Sequence, residues 1–241
     1  MMKEMKKAVP FVLSGTALKW IALILMTVDH FGLIFSGFFP FSVYRFLRIV
    51  GRISFPIFAY LTAEGYRYTK NRKHYALRML VFGALIQLGY FIFSQSLDLN
   101  IFCTLALSCL YMALFDAAKA DKRKIPLFLL AILLGVFPCY MLTDFYGLSV
   151  SYGLVGALLP LFAYAGRGKW ESLFFFAVGS IILCLSLVTA PLGAWQWFCL
   201  LALPILALYN GRAGKYRMKY FFYLYYPLHL VALYGLWMLL R

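Results

Sequence analysis

The sequence predicts an all-α, polytopic integral membrane protein, and three observations carry that prediction. Apolar residues make up 64% of the 241-residue chain and charged residues only 13%, against about half and a quarter in a soluble domain. The mean hydropathy is +0.85. The apolar residues gather in nine long stretches, and lysine and arginine gather on alternate connections between them. A bilayer offers the backbone no hydrogen-bond partners, so each stretch must satisfy its own and is read as a helix. The ten-residue alternation of a membrane barrel is absent.

The first stretch, 18–38, is long enough to cross a ~30 Å hydrocarbon core. It carries Asp29-His30 in its interior, lacks a small-x-small cleavage site, and is therefore not read as a cleavable signal peptide. After Pro40 the chain returns through 48–66, and after Asn71 through 75–95. Stretches 100–118 and 125–143 follow, and Gly147 opens 147–165. Breakers at 166–168, 191–193 and 210–214 set off the last three, 171–189, 194–210 and 218–240. The loops are short, with no internal repeat, inverted symmetry or lipidation motif. The chain reads as one membrane domain, 1–241.

A net charge of +15 raises the possibility of nucleic acid as partner, but its distribution points to lipid. Lys3, Lys6, Lys7 and Lys19 precede or open the first stretch. Arg67, Lys70, Arg72, Lys73 and Arg78 surround the second connection. Lys119, Lys122, Arg123 and Lys124 fill the fourth, Arg167 and Lys169 the sixth, and Arg212, Lys215, Arg217 and Lys219 the eighth. Only Arg45, Arg48, Arg52 and Arg241 fall on the other side. By the positive-inside rule the N-terminus is cytoplasmic and the C-terminus extracytoplasmic.

Two features depart from a bland membrane protein. Asp29-His30 puts a carboxylate and an imidazole inside a span, where an Asp costs about 3 kcal/mol at the helix centre. Arg45, Arg48 and Arg52 break the charge rule where the chain re-enters the membrane. Their i, i+3, i+7 spacing places them on one helix face. They either snorkel to outer headgroups or hold a phosphate or carboxylate. Arg52, beside Gly51 and near Pro56, is read as a functional or buried-pair residue.

Glu64 has two readings, an interfacial ion pair with Arg67 or Lys70 and a polar anchor for a ligand entering from the cytoplasm. Asp116 is assigned to a structural pair with Lys119. Asp98, Asp121 and Glu171 are boundary acids, whereas Asp144 stands before an aromatic outer turn. The last stretch joins Tyr223, Tyr225 and Tyr226 to Pro227 and His229. A membrane His229 is either a core histidine or part of a site. The cysteines, Cys103, Cys109, Cys139, Cys184 and Cys199, are odd in number and lack metal spacing, so no metal is expected. Phosphate-loop, dinucleotide and nucleophile-elbow motifs are absent.

Four pieces of the chain resemble the TraX family, named for the enzyme that acetylates the amino end of F pilin. They are Met26-x-x-Asp29-His30 with the helix before it, Gly51-Arg52-x-x-Phe55-Pro56-x-Phe58 running on to Glu64-Gly65, Lys73-His74-Tyr75-Ala76-Leu77-Arg78, and Tyr223-Leu224-Tyr225-Tyr226-Pro227-Leu228-His229. The resemblance covers nearly the whole length, although 97–210 matches in hydropathy more than in residues. It implies a multi-pass protein of the bacterial inner membrane that transfers an acetyl group. The donor would be cytoplasmic acetyl-CoA, and the acceptor an amine or hydroxyl in the envelope. In the wider group of membrane acyltransferases a histidine of an early span is catalytic and an arginine supports the donor. The matching positions are His30 and Arg52, with Asp29 and His229 behind them. The pilin substrate itself does not carry over.

These residues suit such chemistry. Histidine can take the acceptor's proton near neutral pH, so His30 is read as the general base. Neighbours on a helix diverge by about 100°, so Asp29 is better placed to pair across to Arg52 than to hold the His30 ring, a water-bridged contact being the alternative. Arg52, with Tyr225 or Tyr226, can donate to an oxyanion or a phosphate. Arg45, Arg48, Tyr225, Tyr226 and His229 are assigned to the acceptor. Arg67, Glu64, Arg72, Lys73 and Arg78, on the inner side, are assigned to the nucleotide end of the donor. A competing function is a proton-coupled transporter of a small solute, with Asp29, His30 and His229 as the relay. A noncatalytic assembly factor is a third.

Overall fold

The computed structural model of the protein describes residues 13–94, 99–136, 150–189, 193–214 and 219–241. Among the positions named above, Lys3, Lys6, Lys7, Asp98, Cys139, Asp144, Gly147, Lys215 and Arg217 lie outside the described residues. Helix α1 (Gly15–Ile34) begins where the Ser14 hydroxyl accepts the Ala17 N–H at 3.2 Å, satisfying one of the donors a helix start leaves open. A 3₁₀ turn, Ser36–Phe38, leads to Pro40, which precedes α2 (Phe41–Gly51) at a position where its missing N–H costs nothing. Arg52 and Ile53 keep near-helical dihedrals before α3 (Ser54–Tyr68).

Helix α4 (Arg72–Ser94) pairs with α5 (Ile101–Ala120). Asn100 joins the two: its side chain accepts the Phe102 N–H at 3.0 Å and donates to the Gly83 carbonyl at 2.7 Å. Then come α6 (Ile125–Val136), α7 (Gly153–Ala165) and α8 (Lys169–Ser186). A 3₁₀ stretch, Gly193–Leu201, runs into α9 (Ala202–Ala207), and α10 (Lys219–Leu240) closes the described chain.

Helix α3 is the hub. It packs against α1, α5, α7 and α9, and burial of Phe55, Ile57, Ala59, Tyr60 and Ala63 builds the main core with Leu18, Met112, Leu159 and Phe176. The outer helices show the reverse pattern. Leu127, Leu129, Leu130, Leu133 and Leu134 on α6, and Val231, Met238 and Leu239 on α10, are exposed. Such apolar surface is what a lipid-facing helix presents. Helices α1 and α2 approach closely through two glycines. A Cβ added at Gly32 would enter the Leu47 side chain, and one at Gly51 would enter Asp29, the small-residue contact that membrane helices favour.

Six helices among the described residues are long and apolar enough to span a membrane: Gly15–Ile34, Phe41–Tyr68, Arg72–Ile92, Ile101–Ala120, Lys169–Ser186 and Phe221–Leu240. The nine expected stretches are therefore not all reproduced as spans. Gly153–Ala165 and Gly193–Ala207 are shorter, and the stretch expected over 125–143 is helical to Val136 and then leaves the described residues. The second span starts at Phe41 rather than 48 because α2 and α3 continue one another. Asp29-His30 is also less central than expected. Four residues separate His30 from the end of α1, about 6 Å at 1.5 Å per residue.

Candidate functional site

Asp29 and His30 point in different directions, as neighbours on a helix must. Asp29 faces the α2–α3 junction. Arg48 Nη1 donates to its Oδ2 at 2.7 Å, and Arg52 Nη2 donates to Oδ1 and Oδ2 at 3.1 and 3.2 Å. Arg48 also reaches the Asp29 carbonyl at 3.3 Å, and Arg52 Nε the Arg48 carbonyl at 3.4 Å. These side chains are only 10–16% exposed. The pairing expected between Asp29 and Arg52 is present, and Arg48 joins it instead of snorkelling outward.

Arg45 does not share the cluster and stays exposed. Helices α1 and α2 run antiparallel, with Gly51 against Asp29 and Leu47 against Gly32. Arg45 therefore lies about a turn farther along, where α1 is ending without another acid. The same packing makes Gly51 critical. Gly51→Ala should cost about 1–3 kcal/mol, as over-packed cores do, and lower the thermal midpoint in detergent. An unchanged midpoint would show that Asp29 can move aside freely.

His30 faces α10. Its Nδ1 lies 3.0 Å from Nε2 of His229, whose Nδ1 lies 3.0 Å from the Tyr225 carbonyl. The Tyr225 ring stacks on His229, with centroids 5.4 Å apart and planes at 11°. Thr27 donates its hydroxyl to the Leu23 carbonyl at 2.9 Å, so the Tyr225 hydroxyl, 2.9 Å from Thr27 Oγ1, is the donor between them. Tyr226 meets His30 edge-on at 6.1 Å, and its hydroxyl lies 3.2 Å from that of Tyr90.

A cavity of about 540 Å³ runs along α1 beside this cluster. Asp29, His30, Gly51, Ser151 and Tyr152 line one end; Lys19, Tyr68, Thr69, Arg78 and Phe222 line the other. Lys19 and His30 are separated by three turns of one helix, about 16 Å. Leu23, Met26, Phe55, Phe58, Phe102 and Leu105 make the walls between them apolar. Nε of Arg78 is buried with no hydrogen-bond partner among the described residues.

The other residues assigned to the donor in the sequence lie elsewhere. Glu64 is buried against Arg67 at 3.0 Å, and Arg67 clamps the carbonyls of Ala163, Tyr164 and Gly166 at 2.9, 3.0 and 2.9 Å. Arg72 pairs at 2.7 Å with Asp116, which also accepts the Tyr164 hydroxyl at 2.7 Å. Asp116 thus serves a contact between helices rather than the expected local pair with Lys119. Lys73 is exposed.

Two cavity residues escaped the sequence reading. Lys19 reads in the sequence only as a topology marker, although its spacing of eleven from His30 puts both on one helix face. Tyr152 carries no local signal. It adopts a left-handed conformation, φ +62, and stacks on Phe55 at 3.8 Å and 8°. That backbone state is rare for a bulky residue and persists only where its surroundings enforce it.

A family model described as TraX protein matches residues 14–237. The chain belongs to the TraX family. The TraX match takes in every residue of the histidine and arginine clusters. Over 242 aligned positions the chain is 28% identical to a probable fimbrial assembly protein FimC, serogroup H1, of Dichelobacter nodosus, covering 91% of this chain and 94% of that one. An uncharacterized protein of Rickettsia prowazekii (strain Madrid E) is 31% identical over 99 residues, 41% of this chain and 36% of its own. No solved structure matches. This TraX-family chain is a membrane protein by its apolar spanning helices and its family, and the Dichelobacter relative is the one named for fimbrial assembly.

Proposed function

We propose that the chain is an acyltransferase of the bacterial inner membrane that moves an acetyl group from cytoplasmic acetyl-CoA to an amine or hydroxyl of an envelope acceptor. One observation carries the reading: the cavity that joins a basic mouth at Lys19 and Arg78 to the imidazole of His30. With the N-terminus in the cytoplasm, that mouth opens inward. The phosphates of coenzyme A then meet the two cations, and the thin acyl-bearing arm follows the apolar walls to His30. On this reading the arginines at the far end of α2 need not reach a donor that arrives from the cytoplasm.

In the reaction the acceptor attacks the thioester carbonyl, and His30 takes the acceptor's proton. The tetrahedral intermediate collapses with loss of the coenzyme A thiolate, which recovers the proton from His30. The products are the acetylated acceptor and free coenzyme A. Arg48 and Arg52 act through Asp29, holding α1 against the α2–α3 junction, so they position the base and do not meet the donor. The fimbrial assembly role named for the Dichelobacter relative makes amino termini of exported protein subunits the first acceptors to examine.

Mass spectrometry of envelope polymers and protein amino termini, comparing the wild type with His30→Ala, tests the reading. Acetyl groups lost in the variant support it, and an unchanged acetyl profile refutes it. The donor path has its own test. Removing a charge-assisted contact worth about 1.5–3 kcal/mol should weaken coenzyme A binding to Arg78→Ala by roughly 10- to 100-fold in calorimetry, and Arg45→Ala should bind normally. A loss confined to Arg45→Ala would place the donor on the other side.

A further inference from the structure

The contact between His30 and His229 has a direction that the atoms around it decide. Nδ1 of His229 lies 3.0 Å from the Tyr225 carbonyl oxygen. A carbonyl only accepts, so that nitrogen bears the proton. A neutral imidazole has one N–H, which leaves Nε2 of His229 as an acceptor. Across the 3.0 Å contact, Nδ1 of His30 is therefore the donor. Its other nitrogen, Nε2, keeps a free lone pair, and no residue among those described hydrogen-bonds to it. His30 lines the cavity.

Asp29, the nearest carboxylate in sequence, does not take the orienting role. Both of its oxygens are engaged by Arg48 and Arg52. His229 is instead held rigidly: the Tyr225 ring lies flat against it, and the Tyr225 hydroxyl is tied to Thr27 on α1. The hydrogen bond and the stacking plane thus come from one residue, and that residue is anchored to the helix carrying His30.

We propose that His229 is the positioning residue of the site: it pins the proton of His30 on Nδ1 and leaves Nε2 as the basic nitrogen facing the cavity. The idea rests on the acyltransferase reading for its purpose but not for its geometry. His229 stands where a carboxylate stands in a serine-protease triad, with one difference. It is a neutral acceptor, so the His30 imidazolium gains orientation without a full counter-charge. The proton taken from the acceptor can then pass readily to the departing thiolate. The placement also explains why the last helix carries Pro227. No N–H is available there to bond the Tyr223 carbonyl, and the turn holding Tyr225, Tyr226 and His229 is freed from one constraint of the regular ladder.

The test uses the full chain in lipid membranes with ring-¹⁵N histidine, in a His74→Gln background so that only His30 and His229 report. Nitrogen shifts distinguish the two neutral tautomers. Both rings should carry the proton on Nδ1. In His229→Leu, His30 should revert to the Nε2–H form usual for free histidine. In His229→Gln, whose side-chain oxygen can accept in place of Nε2, His30 should keep Nδ1–H. Acetyl transfer should fall by about 10²- to 10⁴-fold in the leucine variant, the range in which misplaced general bases fall, and recover to within about tenfold in the glutamine variant. An Nε2–H tautomer at His30 in the parent, or full transfer by the leucine variant, would overturn the proposal. The expected tautomers in a chain that transfers no acetyl group would uphold the positioning geometry and overturn the enzymatic reading alone.

Discussion

Asp29→Asn lowers the stability of the folded protein by about 3–5 kcal/mol, the cost of breaking a buried ion pair from one side. The reason is the asymmetry of the cluster. Asp29 neutralises part of the charge of two guanidinium groups that are 10% and 16% exposed. Without the carboxylate, both point from the α2–α3 junction into the tight α1–α2 seam, side by side and with no counter-ion. Arg52→Gln should cost less, because the 2.7 Å bond between Arg48 and Asp29 remains. Thermal unfolding in detergent can be followed with a thiol-reactive dye, since Cys109, Cys184 and Cys199 are buried at 1%, 0% and 0% exposure and label only on opening. The Asp29→Asn/Arg52→Gln pair should recover part of the loss, as coupled neighbours do. A midpoint for Asp29→Asn equal to the wild type would mean that the cluster stabilises nothing.

His30→Ala should reduce the rate of acetyl transfer by about two to four orders of magnitude, the usual contribution of a positioned general base. Coenzyme A affinity should change little, because the cations proposed to hold the nucleotide end lie at the other end of the cavity, about 16 Å along α1. The thermal midpoint should also hold, since His30 forms no part of the arginine cluster. Labelled acetyl-CoA with purified protein, read beside calorimetry and the dye assay, separates the three quantities. A variant that keeps its rate would remove His30 from the chemistry. One that loses rate and stability together would make the histidine structural.

Much of this architecture was legible in the sequence, and the parts that were share a cause. Helical periodicity is local, so the divergence of Asp29 from His30 followed from their adjacency. The arginine partner followed from three cations placed where the charge rule forbids them. The shared face of Lys19 and His30 was equally available in the spacing. Glu64 left two readings open, and Arg72 pointed to a ligand, because a charge near a helix boundary looks the same whether it awaits a ligand or ties two helices together. Their partners, Arg67 for one and Asp116 for the other, show the second use. The nine stretches are not all reproduced as spans among the described residues because length and hydropathy do not reveal where a helix stops short, as Gly153–Ala165 does, or where a 3₁₀ stretch replaces part of a crossing, as at Gly193–Leu201.

From the sequence alone came a helical membrane protein, the face on which each polar residue stands, and the cost of placing Asp29 and His30 in a span. Tertiary packing alone decided that His229, 199 residues away, meets His30, that Tyr152 closes one end of the cavity, and that Arg78 rather than Lys73 opens onto it. The physical reason is that lipid tails are as apolar as the helices themselves. Hydrophobicity therefore inserts each helix but does not choose its neighbour. That choice falls to close contacts between glycines and side chains, to stacked rings and to buried hydrogen bonds, which exist only once the helices are assembled.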